Sequence, residues 1–300
     1  MFKRRLSLES CDMKNQWDIT ARTSVVGVIG DPVRHSLSPI IHNVGFRSLG
    51  VDWVYVAFEV SVGNTEKSVV ALRTLNLRGL SVTMPHKTEM AKLVDRCSEA
   101  AVALRSVNTV EVASDGALVG HSTDGDGLIR NLQAHEVQLQ NARVLLLGAG
   151  GAGRSVVDAL ARHGCSQVTV ANRSLSAAEY AVAFAPKGSL AIALHDDPAM
   201  RRASEQCDLI IHATSIGMGD TGFESNLPIS KELLKPRHTV VDLVYHPIRT
   251  HLLRAAQENG CQIVDGLGML VHQAALQQEI WTGYLPDVHA MLSAATQALS

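Results

Sequence analysis

The chain has 300 residues, 46% of them apolar, and a formal net charge of −2 from 27 basic and 29 acidic side chains. That length holds one large domain or two medium ones with real cores. The near-neutral charge, without a basic stripe, argues against nucleic acid as a partner, and no apolar run reaches bilayer-spanning length.

The five cysteines, Cys11, Cys97, Cys165, Cys207 and Cys261, are scattered and never in C-x-x-C spacing. They read as reduced, buried thiols in a cytoplasmic protein, with no metal site. Residues 1–20 carry Lys3, Arg4 and Arg5 but no apolar stretch after them, so they read as a flexible tail and not as a secretory signal. A short apolar strand is expected over 24–29. A helix then starts with Ser38 as N-cap and Pro39 at the first helical position. Its buried stripe is Ile40, Ile41 and Val44, and Gly50 suits its stop. Strand 53–60, helix 66–75 and strand 79–84, closed by Pro85, precede a helix over 87–96. Residues 109–112 and 117–120 form a hairpin around Ser114, Asp115 and Gly116.

A helix over 125–136 and a polar linker over 138–142 lead into a second unit. Strand 143–147, helix 152–163 and strand 167–171 make a β-α-β unit. Helix 176–184, strands 208–212 and 239–243, helix 250–258 and strand 261–264 continue the alternation. Helices 269–283 and 288–299 have no further strand to serve and are expected to pack back across the cleft. Such alternation implies an α/β fold with parallel sheets covered on both faces.

Gly148, Gly150 and Gly153 are spaced G-x-G-x-x-G between an apolar strand and a helix. The loop Gly148-Ala149-Gly150-Gly151-Ala152-Gly153 therefore reads as a dinucleotide pyrophosphate cradle, with a ligand-free tight turn as the weaker alternative. At the end of the next strand stands Asn172-Arg173-Ser174, where an acidic residue would select NAD. Arg173 offers a charge to a 2′-phosphate, which favours NADP, unless it is simply a solvated arginine. Because the loop lies at the middle of the chain, the first half is expected to hold the substrate. There Lys87 follows a strand end, in Ser81 to Lys87, and sits where a helix dipole disfavours a cation. With Asp124 it would form a proton-relay couple for a carbinol. The plain alternatives are a solvated lysine and a helix cap. Ser36 and Ser38 form a hydroxyl pair, and Asn108 is either a ligand or a turn residue.

Together these motifs resemble the shikimate dehydrogenases, including the quinate/shikimate branch. The resemblance rests on 30–39, 81–87, 106–109, 122–125, 148–153, 172–174, 212–215 and 265–274, in that order. It implies two α/β domains around a cleft: an N-terminal substrate domain (21–123 with 266–300) and a C-terminal Rossmann-type NADP domain (124–265). The last helices would return to the first domain. It also implies Lys87 and Asp124 as the catalytic pair, and Ser36, Ser38, Thr83, Asn108, Tyr245 and Gln273 as substrate ligands. The loop glycines, Asn172, Arg173, Ser174, Thr214, Gly266 and Met269 would hold NADP, with NAD as a second possibility. The implied reaction is NADPH reduction of 3-dehydroshikimate to shikimate. Quinate or dual activity, and a non-catalytic dinucleotide-binding regulator, are the alternatives. Partners are small molecules, with no nucleic acid and no membrane, and a homodimer is compatible with this reading. Three departures stand out. Ser81 and His212 each stand where Asn is commoner, and Ala177 stands where some NADP users carry a second basic residue.

Overall fold

The computed structural model describes residues 19–219 and 226–300. Apart from its last two residues, the tail expected over 1–20 lies outside them. The first half contains β1 (Ser24–Gly30), α1 (Ser38–Leu49), β2 (Trp53–Glu59), α2 (Thr65–Thr74), β3 (Gly79–Val82), α3 (Lys87–Leu93), β4 (Arg96–Cys97), α4 (Glu99–Leu104), β5 (Thr109–Val112) and β6 (Leu118–His121). Its sheet has the order β2-β1-β3-β5-β6-β4. β1 runs parallel to β2 and β3, whereas β5 runs antiparallel to both β3 and β6. The sheet is thus mixed, not parallel as the alternation implied. A short hairpin, closed at Gly116 with φ +81°, can join only antiparallel strands.

Two local expectations are corrected. The helix expected over 87–96 ends at Leu93, and Arg96 and Cys97 pair with β6. Ser98 then caps α4, its hydroxyl accepting the Ala101 N–H at 3.4 Å. Ser38 is the first residue of α1 and not its cap, and Leu37 holds the N-cap position without a side-chain bond. The Ser38 N–H donates instead to Ser36 Oγ at 3.2 Å. With the helix set this way, Ile40 turns outward and is 42% exposed, while Ile41 and Phe46 are buried.

The second half contains α5 (Asp124–Ala134), β7 (Arg143–Leu147), α6 (Gly151–Arg162), β8 (Gln167–Asn172), α7 (Leu175–Val182), β9 (Leu190–Ala193), α8 (Asp197–Gln206), β10 (Leu209–His212), β11 (Thr239–Asp242), α9 (His251–Glu258) and β12 (Gln262–Val264). All its strands are parallel, in the order β12-β11-β10-β7-β8-β9. β9 and α8 were not expected. β9 is a partly exposed edge strand whose run Leu190–Ala193 is apolar but half alanine, a poor strand former, and α8 is announced by Asp196, whose carboxylate accepts the Ala199 N–H at 3.1 Å, and by Pro198 in its first turn. Alternate residues of β7 serve opposite cores, as strand geometry requires. Val144 and Leu146 pack with Leu128, Val156 and Leu160 of α5 and α6, while Leu145 and Leu147 pack with Leu252, Leu253 and Ala256 of α9. Strand order reverses between β10 and β7, which opens a crevice at their C-terminal ends.

The last helices, α10 (Gly266–Thr282) and α11 (Val288–Ala298), return to the first half as expected. Ile41 of α1 shares a core with Val271 and Ala274 of α10 and with Met291 and Ala295 of α11. The Gln278 amide donates to the His42 carbonyl at 2.9 Å, and the Trp281 indole donates to the Val110 carbonyl at 3.0 Å. α10 crosses α5 closely at Gly127, where a Cβ would stand 2.7 Å from that of Gln273.

Candidate active site

Lys87 and Asp124 meet across the junction of the two halves. Lys87 Nζ donates to Asp124 Oδ2 at 2.6 Å, with the two side chains 21% and 14% exposed. Each residue is the first of its helix. A carboxylate is favoured at the N-terminus of α5, while a cation is disfavoured at that of α3, and the ion pair offsets this. The N-cap alternative for Asp124 does not hold, because Thr123 occupies that position. His86 anchors the start of α3. It is buried, with Nδ1 2.9 Å from Thr65 Oγ1 and Nε2 2.7 Å from the Val60 carbonyl.

Asn108 aligns the other carboxylate oxygen. Its Nδ2 donates to Asp124 Oδ1 at 2.8 Å and to Thr123 Oγ1 at 2.9 Å. Its Oδ1 accepts from the Thr123 N–H and the Thr109 hydroxyl, each at 2.9 Å. Both amide hydrogens are therefore spent inside the protein. Thr123 and Thr109 were not singled out in the sequence, where they read as ordinary turn and strand residues.

Gln273 stands at the end of a buried hydrogen-bond chain. The Tyr55 hydroxyl donates to Ser81 at 2.7 Å, Ser81 donates to Gln277 Oε1 at 2.5 Å, and Gln277 Nε2 donates to Gln273 Oε1 at 2.9 Å. Gln273 Nε2 donates to the Leu270 carbonyl at 2.8 Å, which leaves one amide hydrogen for another acceptor. Ser81, noted above as standing where Asn is commoner, is thus a buried link in this chain. Ser38 is buried close to the Tyr55 phenol, and Ser36 is half-buried just before it. Burial pushes the Tyr55 phenol well above its ordinary range, so it acts as a neutral donor. Thr83 directly follows β3, with its N–H on the Ile29 carbonyl at 3.0 Å. Tyr245, from the loop after β11, packs on the cluster of Leu37 and Ile41, and burial raises its phenol also.

The glycine loop fits a dinucleotide. Gly148 has φ +112°, a left-handed conformation that favours glycine. A Cβ at Gly153 would stand 2.2 Å from the Gly148 carbonyl, whereas one at Gly150 or Gly151 would meet nothing within 4 Å. The first and third glycines therefore shape the turn, and the space beyond the second is open. α6 has no side-chain cap, so its first N–H groups face that space. Ala149 is buried, and its N–H donates to Asn172 Oδ1 at 3.3 Å, tying the loop to the end of β8. Ala152 is half-buried on the first turn of α6. Arg173 is exposed, and Ser174 caps α7 through the Ala177 N–H at 3.3 Å. Thr214 follows β10 beside Gly148. Gly266 passes close to the Leu243 carbonyl, and Met269 is buried in the core of α5 and α6. The two sites are joined directly, because the Gly125 N–H, next to Asp124, donates to Ser155 Oγ of α6 at 2.9 Å.

Comparison with known proteins matches three family models. They are described as the shikimate dehydrogenase substrate binding domain (residues 28–110), shikimate / quinate 5-dehydrogenase (131–219) and the shikimate 5'-dehydrogenase C-terminal domain (266–296). A Geobacter metallireducens protein named shikimate dehydrogenase (NADP(+)) is 42% identical over 94% of this chain and 99% of its own length. Among solved structures, shikimate 5-dehydrogenase from Listeria monocytogenes in complex with shikimate and NAD is 35% identical. It covers 94% of this chain and 98% of its own, with a TM-score of 0.85. The Thermus thermophilus enzyme in complex with NADP(H) and shikimate is 33% identical over 92% of this chain and 100% of its own, with a TM-score of 0.82. On these matches, which run through both halves and the returning helices, the chain belongs to the shikimate dehydrogenase family.

Proposed function

We propose that this protein is an NADP-dependent shikimate dehydrogenase. It reduces the ring ketone of 3-dehydroshikimate to the alcohol of shikimate, reversibly, within the shikimate pathway to aromatic amino acids. The observation that carries this reading is the Lys87–Asp124 pair at 2.6 Å, tied through Gly125 and Ser155 to the helix that opens in the glycine loop. NADP(H), when bound, supplies or accepts hydride at the ring carbon. Lys87 Nζ gives its proton to the oxygen of that carbon as alkoxide charge develops, and takes it back in the reverse direction. Asp124, held by Asn108, keeps the ammonium on line. Ser36, Ser38, Thr83, Tyr245 and the remaining amide hydrogen of Gln273 orient the ring.

The loop Gly148 to Gly153 and the first turn of α6 take the pyrophosphate. Arg173 and Ser174 take the 2′-phosphate, and Asn172 braces the loop. Thr214, Gly266 and Met269 border the nicotinamide half. The substrate domain comprises 21–123 with 266–300, and the cofactor domain 124–265. The packing of α10 and α11 on α1, and of α5 on α6, supports this division. A cytoplasmic location belongs to the same proposal. Cys97, Cys165, Cys207 and Cys261 are free, and burial pushes the thiols of Cys165 and Cys207 up to about 11 and about 12.

The test follows the near-ultraviolet absorbance of reduced nicotinamide with NADP or NAD and shikimate or quinate. Shikimate with NADP is expected to turn over fastest. Faster turnover of quinate would reassign the substrate, and no turnover in any mixture would leave a binding protein. Lys87→Ala is expected to lower kcat by about 10²–10⁴-fold with a smaller change in KM. Near-normal kcat in that variant would remove Lys87 from the chemistry.

A further inference from the structure

His212 closes β10 with its side chain wholly buried, directly across from Asp242 on β11. His212 Nδ1 is 2.8 Å from Asp242 Oδ1, and His212 Nε2 is 2.5 Å from Thr214 Oγ1. Asp242 also accepts from the Val244 N–H at 3.0 Å and from the Thr250 hydroxyl at 2.7 Å. A carboxylate so surrounded is an acceptor only, which makes Nδ1 of His212 the donor. A neutral imidazole then has a bare Nε2, and the Thr214 hydroxyl must donate its proton to it. The Ile216 N–H donates to Thr214 Oγ1 at 3.2 Å. One lone pair of that oxygen remains. Thr214 is half-buried at the crevice, beside Gly148, whose Cβ would stand 2.8 Å from Thr214 Cγ2.

We propose that Asp242 and His212 form a positioning relay that fixes the Thr214 hydroxyl as a hydrogen-bond acceptor. The acceptor takes a donor, a ribose hydroxyl or a carboxamide N–H, on the half of the dinucleotide that NADP and NAD share. This inference rests on reading the glycine loop as the dinucleotide site. The relay differs from Arg173, whose charge addresses only the 2′-phosphate. His212 therefore tunes the affinity for both cofactors together and leaves the preference between them unchanged.

Calorimetric binding of NADP and of NAD to the intact protein tests it. Thr214→Val is expected to weaken both by one factor, about three- to tenfold for a single lost hydrogen bond. His212→Asn, which reaches Asp242 but falls short of Thr214, is expected to match that loss. In the Thr214→Val background it should add nothing. His212→Gln, which reaches Thr214, should recover most of the affinity. Nitrogen-15 spectra of the unsubstituted protein should show one imidazole with a protonated Nδ1 and a bare Nε2 that shifts in Thr214→Val. This last readout stands even where the histidine variants fail to fold. Additive losses in the double variant, a loss confined to NADP, or a protonated Nε2 would overturn the relay. Unchanged affinity for both cofactors in Thr214→Val would remove Thr214 from the dinucleotide site itself.

Discussion

At the scale of single residues, the site assigns different work to side chains that look alike in sequence. Arg173 is exposed at the end of β8, and the position that would supply a second cation is Ala177. On the proposed assignment of Arg173 to the 2′-phosphate, preference for NADP would rest on one charge-assisted contact. Arg173→Ala is expected to weaken NADP binding by at least about tenfold and to leave NAD binding within about threefold, by calorimetric titration. Equal losses for both would mean that Arg173 acts on the fold and not on the phosphate. Ser174 also stabilises α7 as its cap, so its removal should lower thermal stability as well as affinity.

At the scale of elements, the strand–loop–helix from β7 to α6 separates packing from recognition. Gly153→Ala would push a methyl into the Gly148 carbonyl, 2.2 Å away. It is expected to destabilise the protein by about 1–3 kcal/mol, seen as a lower urea midpoint. Gly150→Ala meets open space on the protein side. It should keep the urea midpoint and weaken dinucleotide binding. The reverse pattern would mean that the loop is a structural turn. α5 belongs to both sites, because its first residue pairs with Lys87 while its Leu128 and Leu132 pack in the cofactor-side core.

At the scale of the whole molecule, the returning helices place a buried histidine under the substrate side. His42 stacks on Tyr55 with ring centroids 4.0 Å apart, and burial pushes it down to about 3. Burial also lowers His238 and His272. The fold holds these rings neutral, so below about pH 6.5 the unfolded chain binds more protons than the folded one. Stability is therefore expected to fall as pH drops from about 6.5 towards 3, measured as urea midpoints at several pH values. His42→Phe keeps an aromatic ring in the stack and should flatten that decline. An unchanged slope would shift the effect to other groups.

Local chemistry made much of the plan legible. Glycine spacing, apolar strands and cap residues act within a few residues of one another, so the glycine loop, the β-α-β unit, the hairpin and the unpaired last helices could be read directly from the chain. Lys87 stood out because a lysine at a helix start is locally unfavourable. The remainder depended on contacts between distant segments. Ser38 read as a cap until Leu37 took the cap position and the Ser38 N–H turned to Ser36. Ser81 read only as a departure from a commoner Asn until the fold set it to donate a hydrogen bond to Gln277, from a helix near the other end of the chain. The weak edge strand β9 had no strong period of its own. Asp124 could have been a helix cap, and His212 an odd residue in a familiar motif. Tertiary structure decided both, because burial forces every polar group to find a partner, and those partners, Lys87 and Asn108 for one, Asp242 and Thr214 for the other, come together only when the chain folds.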